Sequence, residues 1–335
     1  MNLQKINEQS AVDQLKSTLS RWTVDSAYSK DDITVRKLFE VVFAHPMSQV
    51  HWDWKYTQTE LKGIILKNTD GESVAFFGGM PRVFYYKDES FYCVQNGDVM
   101  VLPSERGVFS KKGALYQVAS SFFNMHVGLQ RKYTFAFGFP NLRHFTLGVK
   151  LGLYEQAGQM KELRWPVSKK KKKFFWRWTV ENSVQSLSIA DLWQRMQKDF
   201  PHKFVAVRDE SRWSYRYDQH PSLRYYLLCI RSNLSRKVMA AVVLREHEEY
   251  CELIDFVGGE KYIQLAVQAS REFAAEREKS TFLLISDAVH QYFSTEECQV
   301  TESSIKVPVN ISTHDVQNKP WIENIWLMAG DSDFM

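Results

Sequence analysis

The sequence predicts an α/β (α+β) protein of two tandem units, each a mixed, mostly antiparallel sheet flanked by helices. Three observations carry this expectation. At 335 residues the chain is about twice a common single-domain length. The segment His51–Tyr56, HWDWKY, is echoed by Arg212–Tyr217, RWSYRY. After each copy, strand-like and helix-like stretches follow in the same order. Hydrophobic residues make up 44% and charged residues 24%, the balance of a folded globular chain rather than a disordered or fibrous one. The 14% of aromatic residues suits sheets and concave sites. A net charge of +4 is too small by itself to imply a polyanionic partner.

Residues 1 to about 50 read as a helical lead-in, with Leu15, Leu19 and Trp22 in one run and Val35, Leu38, Phe39 and Val42 at helical spacing in another. From Lys62 the period changes. GIILK, VAFFGG and VFYYKDESFYCVQNGDVMV, joined by Asp, Gly and Asn turns, form an antiparallel meander. The polar loop SERGVFSKKG follows, and then Leu115, Val118, Ala119, Phe122 and Phe123 mark an amphipathic helix. YTFAFGF is the next strand.

The second half repeats this order. LRYYLLCIRS, KVMAAVVLRE and YCELIDFV are strands, KYIQLAVQASREFAAEREK is a helix, and STFLLIS is a strand. Landmarks pair off: Tyr92–Cys93 before Asp98 against Tyr250–Cys251 before Asp255, and Thr134–Phe135 against Thr281–Phe282. An internal duplication is therefore expected, with an N-terminal unit at 1–167, a basic linker at 168–180 and a C-terminal unit at 181–335. The linker holds five consecutive lysines, Lys169–Lys173, whose mutual repulsion suits a solvated connection. Beside Phe174, Phe175, Trp176 and Trp178 they also suit contact with anionic lipid or nucleic acid. In the tail, Trp321 and Trp326 fall in a last strand that Asp331 and Asp333 would cap.

Cys93, Cys229, Cys251 and Cys298 are widely spaced, without a CxxC pair or zinc spacing, which points to a reducing compartment. With no signal-peptide core and no window of membrane-span length, a cytoplasmic location is expected. No HExxH and no GxSxG is present, so neither a metal nor hydrolase chemistry is expected, and His45, His51, His144 and His220 read as loop or core-edge residues.

Chemistry concentrates at DVMVLPSERGVFSKKGALYQVA, a strand leading through a basic, Gly-containing loop into a helix. A helix N-terminus offers unpaired N–H groups and partial positive charge to an anion such as pyrophosphate. Gly107 and Gly113 let the backbone approach, and Arg106, Lys111 and Lys112 add cations. The loop is neither a Walker loop nor a GxGxxG. The residues on this path, with GFPN at Gly138–Asn141 and KLGLYE at Lys150–Glu155, resemble the GNAT acyltransferase superfamily over most of the chain, the second half as a degenerate unit.

That resemblance implies an acyl-coenzyme A cosubstrate, most simply acetyl-CoA. Its pantetheine would lie beside Val99, Met100, Val101 and Leu102. Its pyrophosphate would lie on Arg106, Gly107, Val108, Phe109, Ser110, Lys111, Lys112, Gly113 and Ala114, with Asn141 near the thiol. Two positions depart from the family pattern. Phe109 stands where the loop's first Gly belongs, and Gly148 stands where many members have the Tyr that protonates the thiolate. Asp98 is the candidate base for an amine acceptor, or else a carboxylate paired with a neighbour, as its counterpart Asp255 suggests. After Asp255 only Gly258, Gly259 and Lys261 remain of the loop chemistry, so the cosubstrate is expected in the first half alone. Trp52, Trp54 and Tyr56 suit either an acceptor pocket or packing, and their recurrence at Trp213, Tyr215 and Tyr217 favours packing. The activity implied is transfer of an acyl group to an amine that the sequence does not name. The alternatives are an aminoacyltransferase of the tandem-GNAT, transfer-RNA-dependent kind, with nucleic acid at Lys169–Lys173, and a non-catalytic binding protein on the same scaffold.

Overall fold

The structure, a computed structural model, describes residues 21–57, 59–108, 110–128, 130–168, 175–310, 319 and 321–332. Leu15, Leu19, Phe109, Lys169–Lys173, Phe174 and Asp333 lie outside them. The first described element is a strand within the stretch expected to be helical. Polar TVDSA forms β1 (Thr23–Ala27), which pairs along its whole length with β2 (Gly63–Lys67). Pairing with an open sheet edge outweighs a weak local signal here. The expected helix follows as α1 (Asp32–Phe43), burying Val35, Leu38 and Phe39.

HWDWKY lies in α2 (Gln49–Tyr56), started by Ser48, whose side chain accepts from the His51 N–H. The meander continues with β3 (Ser73–Tyr86) and β4 (Glu89–Val101), and α3 (Ala114–His126) buries the predicted apolar face. Of YTFAFGF only β5 (Ala136–Phe137) is a strand, because the chain turns away through Gly138, Phe139 and Pro140, and proline offers no ladder N–H. Next come α4 (Leu142–Lys150) and β6 (Tyr154–Trp165).

The second half contains β7 (Trp176–Glu181), α5 (Ile189–Asp199), β8 (Phe204–Ala206) and α6 (Glu210–Trp213), which widens into a π-turn through Asp218. After these come β9 (Tyr226–Ser232), β10 (Val238–Glu246), β11 (Tyr250–Gly258), α7 (Ile263–Ala275), β12 (Ser280–Ser286), α8 (His290–Phe293), β13 (Gln299–Asn310) and β14 (Ile325–Trp326). Trp326 thus lies in a last strand as expected, while Trp321 is buried in the turn before it.

One sheet runs through both halves in the order β1-β2-β3-β4-β5-β13-β6-β12-β11-β10-β9-β7. Matched strand for strand, this order reads the same from either end. Both β4 with β5 and β11 with β12 are the parallel neighbours, and the two central strands are exchanged: β13 pairs with β5, and β6 pairs with β12. β6 from the first half therefore completes the second half's sheet, and β13 from the second half completes the first's. The two echoed motifs meet as well. Trp54 and Tyr215 stack with ring centroids 5.3 Å apart, Trp54 Nε1 donates to the Tyr215 carbonyl at 3.0 Å, and the Tyr215 hydroxyl donates to the Trp54 carbonyl at 2.6 Å. Trp52 and Trp213 are fully buried, each beneath its own half.

Candidate active site

The parallel pairing of β4 with β5 lasts for two residue pairs, Val94 with Ala136 and Gln95 with Phe137. Beyond them β4 continues against β3 alone, so its edge from Asn96 to Val101 has no strand partner among the described residues. A cleft of about 870 Å³ opens in this gap, a size that suits a small-molecule site. β4 lends it Asn96, Gly97, Asp98 and Val99, and the turn into α4 lends Gly138, Phe139, Pro140, Asn141 and His144. Tyr154 lines it from β6. Phe39, Phe43, Met47, His51 and Lys55 come from the α1–α2 side, and His220, Ser222, Leu223 and Pro308 from the second half.

Asp98 sits where the β3–β4 register slips, and its φ of 50° lies in the left-handed region that a non-glycine residue adopts at a cost of roughly 1–2 kcal/mol. Its carboxylate accepts from Lys55 Nζ at 2.8 Å on one oxygen and from the Tyr56 hydroxyl at 2.8 Å on the other. Gly78 makes that reach possible, since a Cβ there would stand 2.3 Å from the Tyr56 hydroxyl oxygen. The second half repeats the arrangement out of the cleft. Asp255 accepts from the Tyr217 hydroxyl at 2.7 Å and from Arg208 Nε at 2.7 Å, and Arg208 also reaches Asp331 at 2.8 Å. Burial pushes Asp255 up against the opposing pull of Arg208. Burial also works against the Arg208 charge, but the two carboxylates outweigh it and hold the guanidinium above its ordinary value. Asp331, expected to cap the last strand, caps instead the turn that follows it, accepting from the Met328 N–H at 2.9 Å.

Tyr154 was in the sequence without a role that spacing could give. Its hydroxyl lies 3.2 Å from His144 Nε2 inside the cleft. Burial pushes the phenol well up and the His144 imidazole down, so a proton rests on oxygen and the ring stays neutral. Gly148 explains the placement: a Cβ there would stand 1.9 Å from Tyr154 Cδ2. The ring of Tyr154 fills the space a side chain at 148 would need. Asn141, which lines the cleft, also starts α4 by accepting from the His144 N–H at 2.9 Å.

The basic loop lies outside the cleft, at the far end of the unpaired β4 edge. Val99 lines the cleft, Met100 is fully buried, and Val101 and Leu102 are half-buried. Arg106 folds back, its Nε donating to the Val101 carbonyl at 2.8 Å. Arg106, Gly107, Val108, Ser110, Lys111 and Lys112 are exposed, and Gly107 has a φ of 101°. Gly113 is required by crowding, since a Cβ would come 2.0 Å from the Val108 carbonyl oxygen. Buried Ala114 begins α3 there. The second half's counterpart is filled: the Glu260 N–H donates to Asp199 at 2.9 Å, so a carboxylate of the chain itself occupies that backbone donor.

His45, His51, His144 and His220, which sequence scattered over loops and core edges, all line the cleft. No local spacing could have grouped all four, because they arrive from three separate stretches, His45 and His51 together, then His144 and His220. Burial pushes the Cys93 thiol up and the Cys229 thiol up to about 11, so neither is a thiolate at neutral pH. Among the described residues no helix is long and apolar enough to cross a membrane.

No protein-family model matches this sequence, and no curated protein matches it. Solved structures match its shape. A protein from Enterococcus faecalis described as a probable N-acyltransferase superposes with a TM-score of 0.66 at 13% identity, covering 87% of this chain and 73% of its own. A GCN5-related N-acetyltransferase from Anabaena variabilis gives a TM-score of 0.63 at 14% identity, covering 87% and 73%. The N-myristoyltransferase of Saccharomyces cerevisiae, solved with myristoyl-CoA, gives 0.54 at 10% identity, covering 87% and 80%. The chain has the GNAT fold, an α/β architecture around a large, mostly antiparallel sheet.

Proposed function

We propose that this chain is an acyl-CoA-dependent N-acyltransferase, with acetyl-CoA its simplest cosubstrate and an amine bound in the cleft as acceptor. The observation that carries the reading is the unpaired β4 edge from Asn96 to Val101, which joins the cleft at one end to an exposed basic loop at the other. An open strand edge can hydrogen-bond the amides of an extended ligand as a neighbouring strand would. In this reading Val99, Val101 and Leu102 lie along the pantetheine, with Met100 behind them in the core. Arg106, Lys111 and Lys112 hold the phosphates. The N-myristoyltransferase solved with myristoyl-CoA shares the fold.

The chain's own groups then have distinct tasks. The acceptor nitrogen attacks the thioester carbonyl, the C–S bond breaks, and Tyr154 gives its proton to the departing sulfur. Asp98, from which the sequence predicts the base, is proposed here as a clamp that holds α2 to β4, because both its oxygens are engaged and Asp255 makes the same tyrosine contact away from the cleft. The amine's proton then passes to an imidazole of the cleft. His51 and His220 both line the cleft.

We also infer that the chain is an internal duplication, with a first unit at 1–167 and a second that starts at β7 rather than at 181, because Trp176–Glu181, expected almost wholly within the linker at 168–180, pairs with β9. The matching strand order and the reciprocal contact of Trp54 with Tyr215 support it. The Asp199 carboxylate at the second loop supports a single cosubstrate site in the first half.

Titration calorimetry with acetyl-CoA tests the proposal. Wild-type protein is expected to bind, and a variant carrying Arg106→Ala, Lys111→Ala and Lys112→Ala to bind at least about ten-fold more weakly with unchanged melting. Absence of both heat and thermal stabilisation with acetyl-CoA and with a long-chain acyl-CoA would overturn it.

A further inference from the structure

A second surface lies at the sheet's outer edge, away from the cleft. β7 is the last strand in the order, and its start adjoins the tip of the β9–β10 hairpin: Trp176 pairs with Ser232, and the Asn233 N–H donates to the Phe175 carbonyl at 2.9 Å. At this corner two large apolar side chains stand in water, Leu234 at 95% exposure and Phe175 at 82%. The turn that projects Leu234 is well built. Ser232 N–H donates to the Lys237 carbonyl and Arg236 N–H to the Ser232 carbonyl, both at 3.0 Å. A turn built this firmly holds Leu234 outward, with none of its surface packed on the fold.

The charge around them has one sign. Arg177, Arg236 and Lys237 are exposed, and the stretches 168–180 and 223–245 contain neither Asp nor Glu. Arg231 is already paired with Glu181 at 3.4 Å. In sequence the edge is preceded directly by the run Lys169–Lys173 and Phe174.

We propose that this corner docks the protein on an anionic lipid surface, with Leu234 and Phe175 entering the acyl boundary and Arg177, Arg236 and Lys237 meeting headgroup phosphates. An apolar tip ringed by cations matches an interface that is apolar below and negative above. Nucleic acid fits less well. Binding of single strands rests on aromatic faces for stacking, and the most exposed residue here is an aliphatic leucine. The docking leaves the active cleft accessible. Leu223 lines the cleft just before β9, and the hairpin tip lies past its other end, a separation of roughly 23 Å at 3.3 Å per residue. The inference stands apart from the proposed chemistry.

Co-sedimentation of the full chain with vesicles tests it. Vesicles of phosphatidylcholine and phosphatidylserine in roughly equal parts should carry the protein down, phosphatidylcholine alone should not, and added salt should weaken the binding. The double variant Leu234→Ser/Phe175→Ser and, separately, Arg236→Gln/Lys237→Gln should each weaken vesicle binding by about ten-fold or more, with circular dichroism and melting unchanged. The proposal falls if acidic vesicles leave the protein in solution or if the apolar double variant sediments like wild type. It falls equally if the protein is retained on single-stranded RNA with loss in the charge variant and none in the apolar one.

Discussion

At the scale of single residues, the proposed reaction gives Tyr154 a chemical task and Asp98 a supporting one. Tyr154→Phe keeps the ring beside Gly148 and removes only the hydroxyl that faces His144. In an acetyl-CoA assay with an accepted amine, kcat should fall by about 10²-fold while KM for acetyl-CoA holds, the size expected when a general acid is lost. Wild-type kcat in this variant would remove Tyr154 from the reaction. Asp98→Asn should behave in the opposite way. It breaks the buried Lys55–Asp98 ion pair, so stability should drop by about 3 kcal/mol with kcat changed only a few-fold at a temperature where the variant is folded. A large fall in kcat at unchanged melting temperature would return Asp98 to the role of base. His144 adds a pH signature. Burial lowers its pKa, so between about pH 6.5 and the lower native value the unfolded chain takes up a proton that the native imidazole refuses. Its contribution to stability is complete above about pH 6.5 and is lost as pH falls. Thermal melts from about pH 7 down to about pH 5 should show the decline, and His144→Gln should flatten part of it.

At the scale of elements, Gly148 shows how one position sets the packing of α4 against β6. A methyl group there meets the Tyr154 ring at 1.9 Å, so Gly148→Ala must displace the ring or the helix. A loss of about 1–3 kcal/mol is expected, with lower activity at temperatures where the fold is intact, and a melt matching wild type would show that the ring yields freely. The same scale decides what could be read from the sequence. The meander, α3, α7 and β9 to β12 were legible because each carries a clean period and a turn signal. β13 was missed because QVTESSIKVPVN opens with polar residues and places Pro308 within the strand, where the register shift after Val307 accommodates it. TVDSA was missed because its stability comes from β2 rather than from itself. Of the residues that line the cleft, Val99 and Asn141 were named from the family pattern. Lys55, His51, Tyr154 and His220 could not, since only the fold brings α2, α4, β6 and the second half to one cleft.

At the scale of the whole molecule, the exchanged central strands decide how the protein unfolds. β5 is completed on one side by β13, and β12 by β6, so neither half keeps its sheet without the other. Trp54 and Tyr215 lock the same seam with two reciprocal hydrogen bonds. Conformational change confined to one half would strip a strand partner and an apolar face from the other, and that coupling favours a single cooperative transition over two. Arg208 offers a way to test it from one side. It lies between Asp255 and Asp331, all three buried, and Arg208→Met would leave two carboxylates facing each other without a cation. Removing one partner of a buried charge cluster costs about 3–5 kcal/mol, far more than an exposed pair. Although the substitution touches only the second half, unfolding followed by near-ultraviolet and far-ultraviolet circular dichroism should move as one curve to lower temperature. Gly148→Ala, which touches only the first half, should move that same curve. Two resolved transitions, with each substitution displacing a different one, would show that the halves fold independently and that the exchanged strands do not couple them.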